Sequence, residues 1–250
     1  MKISKVLPLF ISFIAVNVVL VGCNSAGNNG TSNSTAQSTS TLSTIVTEAL
    51  SSANSDLTQE LKNTLSYMGN EERLAYDVYN KLYEKYPLTQ LKNIATNGES
   101  QHIEAVQLLV QKYIANYSEF SNIDMVELGY KDTNLTQMNA GTYDISAIQN
   151  LYNALIAKGE QSSQDALEVG CMVEVTDIND LDGDITLANQ SNATDISAVF
   201  SFLRDGSYSH YWAFDSGLKN MGVTEGCCSL GIINGVDYCH SEYPQSRGRQ

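Results

Sequence analysis

The sequence predicts an all-α fold organised around four long helices. Three observations carry that expectation. After Asp56, apolar residues recur at alternating steps of three and four over long stretches. The whole 250-residue chain contains only three prolines. The breaks in the pattern also coincide with helix stop and start signals such as Pro87, Gly159 and Ser162.

Taken in order, residues 1–22 read as an export signal. Lys2 and Lys5 precede an apolar stretch from Val6 to Val21, interrupted by Asn17 and shorter than the ~20 residues a bilayer-spanning helix needs. The stretch ends in Leu20-Val21-Gly22-Cys23, which resembles a bacterial lipobox. Cys23 is therefore the expected lipidation site, and the protein is expected to be exported and lipid-anchored to the cell membrane or outer membrane. Residues 23–55, rich in Ser, Thr and Asn, read as a flexible tether with at most a turn of helix near Ile45–Leu50.

Helix A is expected over 57–86, stopped by Pro87, with Gly69 a weak point. Helix B follows over 89–117, then a loop over 118–144 and a short helix over 144–159 ended by Gly159. Helix C starts behind Ser162 or Ser163 and runs to 181, and helix D starts behind Thr194 and runs to 218. Between them, "DINDLDGDITLANQSNA" reads as a polar acidic loop. An EF-hand does not fit it, because Ile178 would take the first ligand position and Asn189 the closing glutamate position. Residues 56–220 suit one domain with a single core, followed by a Cys-rich tail over 221–250.

Once residues 1–22 are removed, 12 basic residues face 28 acidic ones, a net charge of −16. Such a surface repels nucleic acid and attracts cations. With Cys23 assigned to lipid, Cys171, Cys227, Cys228 and Cys239 remain, an even number in an exported chain, and these are candidate disulfide partners of open connectivity. Zinc is the rival, but no paired C-x-x-C is present and only His240 is close by. A thiol redox role for the adjacent Cys227 and Cys228 fits less well, because no redox-fold pattern surrounds them.

Each long helix has one buried stripe, and each stripe is broken by ionisable residues at one level: Glu72 on A, Glu99 and His102 on B, Glu174 on C, His210 on D. A lone buried carboxylate costs several kcal/mol unless it is paired or bound to metal. Bundles satisfy such groups together by holding two irons or manganeses through glutamates and Glu-x-x-His pairs on facing helices. "ESQH" (99–102) supplies one such pair. Three residues before His210 stands Ser207 rather than Glu, and Asp177, one turn after Glu174, can replace the missing carboxylate. The candidate metal set is thus Glu72, Glu99, His102, Glu174, Asp177 and His210, with two iron or manganese ions as the expected cofactors. Tyr76, Tyr79, Tyr83, Tyr208 and Tyr211 flank it.

The segments "EERLAYDVY" (71–79), "IATNGESQHIEAVQLLV" (94–110), "LYNALIAKGEQSSQDALEVGCMVEVTDINDL" (151–181) and "FLRDGSYSHYWAF" (202–214) together resemble a prokaryotic ferritin-like family catalogued as a domain of unknown function. The likeness spans residues 70–218, with the motifs in the family's order. It implies a ferritin-like four-helix bundle with a di-metal carboxylate site at the positions above. The family's last motif reads like "GSxNHLRAF", so Ser209 and Trp212 depart from it here. The functional expectation is a metal-binding protein of the cell envelope that handles ferrous iron or reduces oxygen or peroxide. The alternative is a non-enzymatic surface lipoprotein whose bundle binds a partner, with the polar core groups forming a structural network.

Overall fold

The computed structural model describes residues 42–113, 139–143 and 145–245. The signal segment, Cys23, most of the tether, the end of helix B and nearly all of the 118–144 loop lie outside the described residues. The described chain is almost entirely helical, as the spacing of apolar residues requires.

Helix α1 (Thr44–Ser51) starts behind Ser43, whose hydroxyl accepts from the Val46 N–H. It packs Val46 and Ala49 against the last long helix, so the chain joins the domain from residue 44 rather than remaining a tether to 55. Lys112 fastens this helix. Its Nζ donates to the carbonyls of Ala49 and Ala53 and to the Ser52 hydroxyl, and pairs with buried Asp195 at 2.6 Å. A cation among the last carbonyls of a helix answers both their unpaired lone pairs and the helix dipole.

Helix α2 (Gln59–Lys85) is capped by Thr58 and stops one residue before Tyr86-Pro87, passing through Gly69 without a break. The expected helix B is a composite. It comprises α3 (Thr89–Asn93), a π-helical turn over Ile94–Glu99, and α4 (Ser100–Tyr113). The wider π turn falls in "IATNGE", where Asn97 and Gly98 hold the α form weakly. Helix α5 (Ser146–Gly159) is the short helix expected over 144–159.

Helix α6 (Ser163–Gln190) corrects the boundary at 181, because the acidic stretch after Asp177 is helix rather than loop. No proline interrupts it, and Gly183 is exposed with nothing packed against it. The stop comes at Asn192, which takes a left-handed φ of 54°. The Ala193 N–H then bonds the Ala188 carbonyl at 2.9 Å and the Asn192 N–H bonds Asn189, the paired pattern of a Schellman cap. Helix α7 (Thr194–Asn220) follows and packs extensively on α6.

The apolar core divides into two clusters. One joins α2, α5, α6 and α7 through Tyr79, Leu82, Ile148, Val169 and Phe214. The other joins α1, α2, α4 and α7 through Leu61, Leu65, Met68, Leu109 and Phe200. Along α2, helix B and α7 the ionisable breaks fall between these two clusters.

The Cys-rich tail is pinned back onto the domain. It forms a 3₁₀ turn (Gly226–Leu230) and a two-residue hairpin pairing Ile232–Ile233 with Val236–Asp237. Asn234 and Gly235, both at positive φ, make its turn. Disulfides Cys171–Cys227 and Cys228–Cys239 use all four candidate cysteines, so none of the four is left as a zinc-binding thiolate. Tyr211 donates to the Tyr238 carbonyl and Trp212 to that of Tyr243.

Candidate metal centre

Four helical segments bring five ionisable side chains to one buried point. Glu72 comes from α2, Glu99 from the last residue of the π turn, His102 from the first turn of α4, Glu174 from α6 and His210 from α7. None of the five is more than 7% exposed. Glu99 and His102 lie three apart and so face the same way.

Glu99 is the centre of the arrangement. One of its oxygens lies 3.3 Å from His102 Nδ1 and the other 3.1 Å from His210 Nδ1. Each imidazole also meets a carboxylate of its own. His102 Nδ1 is 3.0 Å from Glu72, and His210 Nδ1 is 3.4 Å from Glu174. The two rings sit 5.2 Å apart, and His102 makes a T-shaped contact with Phe202. Glu99, His102 and His210 form a possible metal-binding triad, with one ligand atom from each lying within 4.8 Å of the others.

The hydrogen bonding of this group is incomplete. Glu99 Oε1 and His210 Nδ1 approach closely without forming a hydrogen bond, and neither atom makes one elsewhere among the described residues. Glu72 Oε1 and His102 Nε2 are likewise buried without one. Buried polar atoms are nearly always satisfied, and unsatisfied carboxylate and imidazole atoms gathered in one buried group are what cation binding would satisfy. Tyr79 supplies a direct bond, its hydroxyl donating to Glu174 at 2.5 Å. Of the five flanking tyrosines, Tyr79 alone makes such a bond to the five, while Tyr211 and Tyr208 turn to the tail.

Asp177 stands at the edge. Ser207, found where a glutamate was expected, donates its hydroxyl to Asp177 Oδ2 at 2.6 Å, leaving Oδ1 without a partner. Its influence on the centre is electrostatic, through Glu72, Glu174 and Glu99. The nearest arginines are committed elsewhere. Arg73 meets Asp77 and the carbonyls of Asn139 and Thr142, and Arg204 pairs with Asp182 at 2.6 Å.

The charges follow from these contacts. Burial drives the Glu72 carboxyl well above its ordinary range, and neighbouring Glu99 adds to this. Burial raises Glu174 too, against the pull of His210, and raises Asp177 strongly with help from Glu72. Burial would also raise Glu99, but His210 and His102 draw it below the usual carboxylate range. Burial favours neutral His210, yet Glu174 and Glu99 lift its pKa well above that of free imidazole. Without metal, the centre is one ion pair among carboxyls that retain protons. Two divalent cations balance four carboxylates without those protons.

Sequence reasoning overlooked a second group of acids beside the first. Glu71, adjacent to Glu72 but 100° round the helix, is buried as well, and it faces Asp180, Asp177 and Asp184 of α6. Reading 177–193 as a loop hid this, because the aspartates share a face only when the segment is helical. Burial, then Asp180, lifts the Asp184 carboxyl to about 7. The folded protein thus keeps a proton that the unfolded chain releases near pH 4, and stability falls as pH rises from there to about 7. With a chelator present, Asp184→Asn should melt higher than wild type at pH 8 by roughly 2–4 °C, the response to ~1 kcal/mol in a domain of this size. The gap should narrow at pH 5. Equal gaps at both pH values in thermal melts would refute this placement of the charge.

Residues 61–230 match a family described as an uncharacterized protein domain, DUF2202. Among curated proteins, uncharacterized protein MJ0754 of Methanocaldococcus jannaschii is 36% identical over 166 residues, spanning 66% of this chain and 79% of that protein. The crystal structure of hypothetical protein MJ0754 from Methanococcus jannaschii aligns with a TM-score of 0.57 at 34% identity, covering 69% of this chain and 87% of that one. The matched segment takes in all six candidate metal residues, and the chain belongs to the DUF2202 family.

Proposed function

We propose that this protein is a di-metal carboxylate protein of the ferritin-like four-helix type, binding two iron or manganese ions and handling ferrous iron or reducing oxygen or peroxide at the cell envelope. The observation that carries the reading is Glu99 set between two imidazoles, each of which has a further carboxylate of its own. In this reading Glu72, Glu99, His102, Glu174 and His210 would hold the metal pair, with Glu99 placed between the two imidazoles. A redox-active metal pair held there supplies electrons to the oxidant.

The chain's own residues set the conditions. Tyr79 fixes the rotamer of Glu174 by its hydrogen bond, and a ligand held in orientation binds more tightly than a free one. Phe202 packs against His102 with its ring nearly perpendicular, adding an apolar wall beside the site. The carboxyls that burial keeps protonated, and His210, would release their protons as cations enter. Anchoring through Cys23 would place this chemistry at the membrane surface.

The test is metal content. The disulfide-bonded chain loaded anaerobically with Fe²⁺ or Mn²⁺ should hold two ions per chain. His102→Ala and Glu174→Ala should each lower this to one or fewer. A folded wild type that takes up neither ion would overturn the reading and leave the polar core as a structural network.

A further inference from the structure

We infer that the apolar cavity between α2, α5, α6 and the tail is a site for dioxygen on its way to the centre, so that dioxygen rather than peroxide is the oxidant the protein takes. This rests on the reading of the centre as a metal pair that reduces an oxidant.

The cavity has a volume of about 60 Å³. One water needs roughly 10–15 Å³, and voids larger than a water are few in a packed domain. Leu74 and Ala75 of α2, Leu151 and Leu155 of α5, and Met172 and Val173 of α6 form most of its wall. Glu71 and Asp177 also line it, but their unpartnered oxygens, Oε2 and Oδ1, are buried, and carbon dominates the surface that the cavity presents.

Its position joins the surface to the centre. Leu151 and Met172 are only half-buried, whereas Ala75 and Val173 are buried. Ala75 lies one turn after Glu72 on the same side of α2, Asp177 one turn after Glu174 on α6, and Val173 directly precedes Glu174. Asp177 also reaches inward, where its carboxylate accepts from Ser207 of α7. Polarity then selects the molecule. An apolar cavity stays dry and takes up apolar solutes such as xenon. Dioxygen, equally apolar, leaves no strong hydrogen bonds behind in water. Hydrogen peroxide both donates and accepts them, and walls of carbon return none. The thioether of Met172 adds a polarisable contact for an apolar guest.

Xenon, apolar and unreactive, tests the cavity without metal. Under xenon pressure the metal-free, disulfide-bonded chain should show saturable shifts in the methyl NMR signals of Leu155 and Val173. Leu155→Phe fills the cavity from α5, a helix that carries none of the candidate metal residues, and should abolish those shifts. Leu151→Phe fills it from the same helix and serves if the first variant does not fold. Loaded with Fe²⁺, the filled variant should hold as much metal as wild type, react with dioxygen several-fold more slowly, and react with hydrogen peroxide at the wild-type rate. Wild type without saturable shifts would refute the cavity as an apolar site and leave the centre standing. A filled variant with wild-type dioxygen kinetics, or with the peroxide reaction slowed equally, would refute it as the dioxygen route. Xenon binding that Leu155→Phe removes, in a wild type that takes up no metal, would keep the apolar site while the reading of the centre falls.

Discussion

Replacing both Cys171 and Cys227 by alanine is expected to cost about 4 kcal/mol of unfolding free energy, the chain-entropy value for a loop of this length. The bond closes 56 residues, from the third turn of α6 to the 3₁₀ turn of the tail, and both cysteines are fully buried. It draws the tail against α7, where Asp215 accepts from the Cys227 N–H and Tyr211 bonds Tyr238. Cys171 also stands one helical turn before Glu174, on the same side of α6. Loosening the tail therefore frees the part of α6 that positions Glu174, and on the proposed reading metal affinity should fall as well. Urea unfolding followed by circular dichroism measures the first effect, and metal titration the second. The other bond, Cys228–Cys239, closes only 11 residues within the tail. Its double alanine variant should cost less and leave metal uptake unchanged. Equal losses from the two pairs, with equal metal uptake, would refute this account of how the tail supports the centre.

What was readable in the sequence was the level of the site on each helix. A buried stripe is legible because its period is enforced by packing, and an ionisable residue within it is conspicuous. That is why Glu72, Glu99, His102, Glu174 and His210, picked out by spacing alone, meet at one point in the structure. The roles of Asp177 and Ser207 were less legible, because a hydrogen bond between facing helices depends on their rotation about their axes. Ser207 stands where a glutamate was expected, and its hydroxyl donates to Asp177.

The boundaries were lost for a different reason. An acidic, glycine-containing stretch suggests a loop, but tertiary packing of α6 on α7 carries the helix on to Gln190. Likewise, weak helix propensity near Ile45 suggested a tether, whereas Val46 and Ala49 are buried on the domain and Lys112 caps the turn. Local composition cannot report a partner supplied from 60 residues away. The π turn is the hardest feature to read, since Asn97-Gly98 is equally at home in an α-helix end or a loop.

That π turn carries the remaining prediction, for Gly98→Ala. On propensity alone alanine should stabilise a helix by ~1 kcal/mol over glycine. The local packing opposes this. A Cβ at Gly98 would stand 2.6 Å from His210 Cε1 and closer still to Nε2. The ring cannot yield cheaply, because it lies between Glu99 and Glu174 and is only 7% exposed. The clash should therefore win, with a stability loss of ~1–3 kcal/mol, as for other overpacked cores. Metal affinity should fall roughly 10–100-fold, the scale seen when a ligand loses its orientation. A second substitution separates the two effects. Adding His210→Ala removes the ring that the new methyl strikes, so Gly98→Ala should cost no further stability when it is made in His210→Ala, and neither variant should recover metal. Wild-type metal affinity in Gly98→Ala would mean that the π turn does not position His210. The expected result would instead tie the widened backbone turn to the ligand geometry, since Gly98 and Glu99 approach the same imidazole from adjacent residues, one by lacking a side chain and the other by supplying a carboxylate.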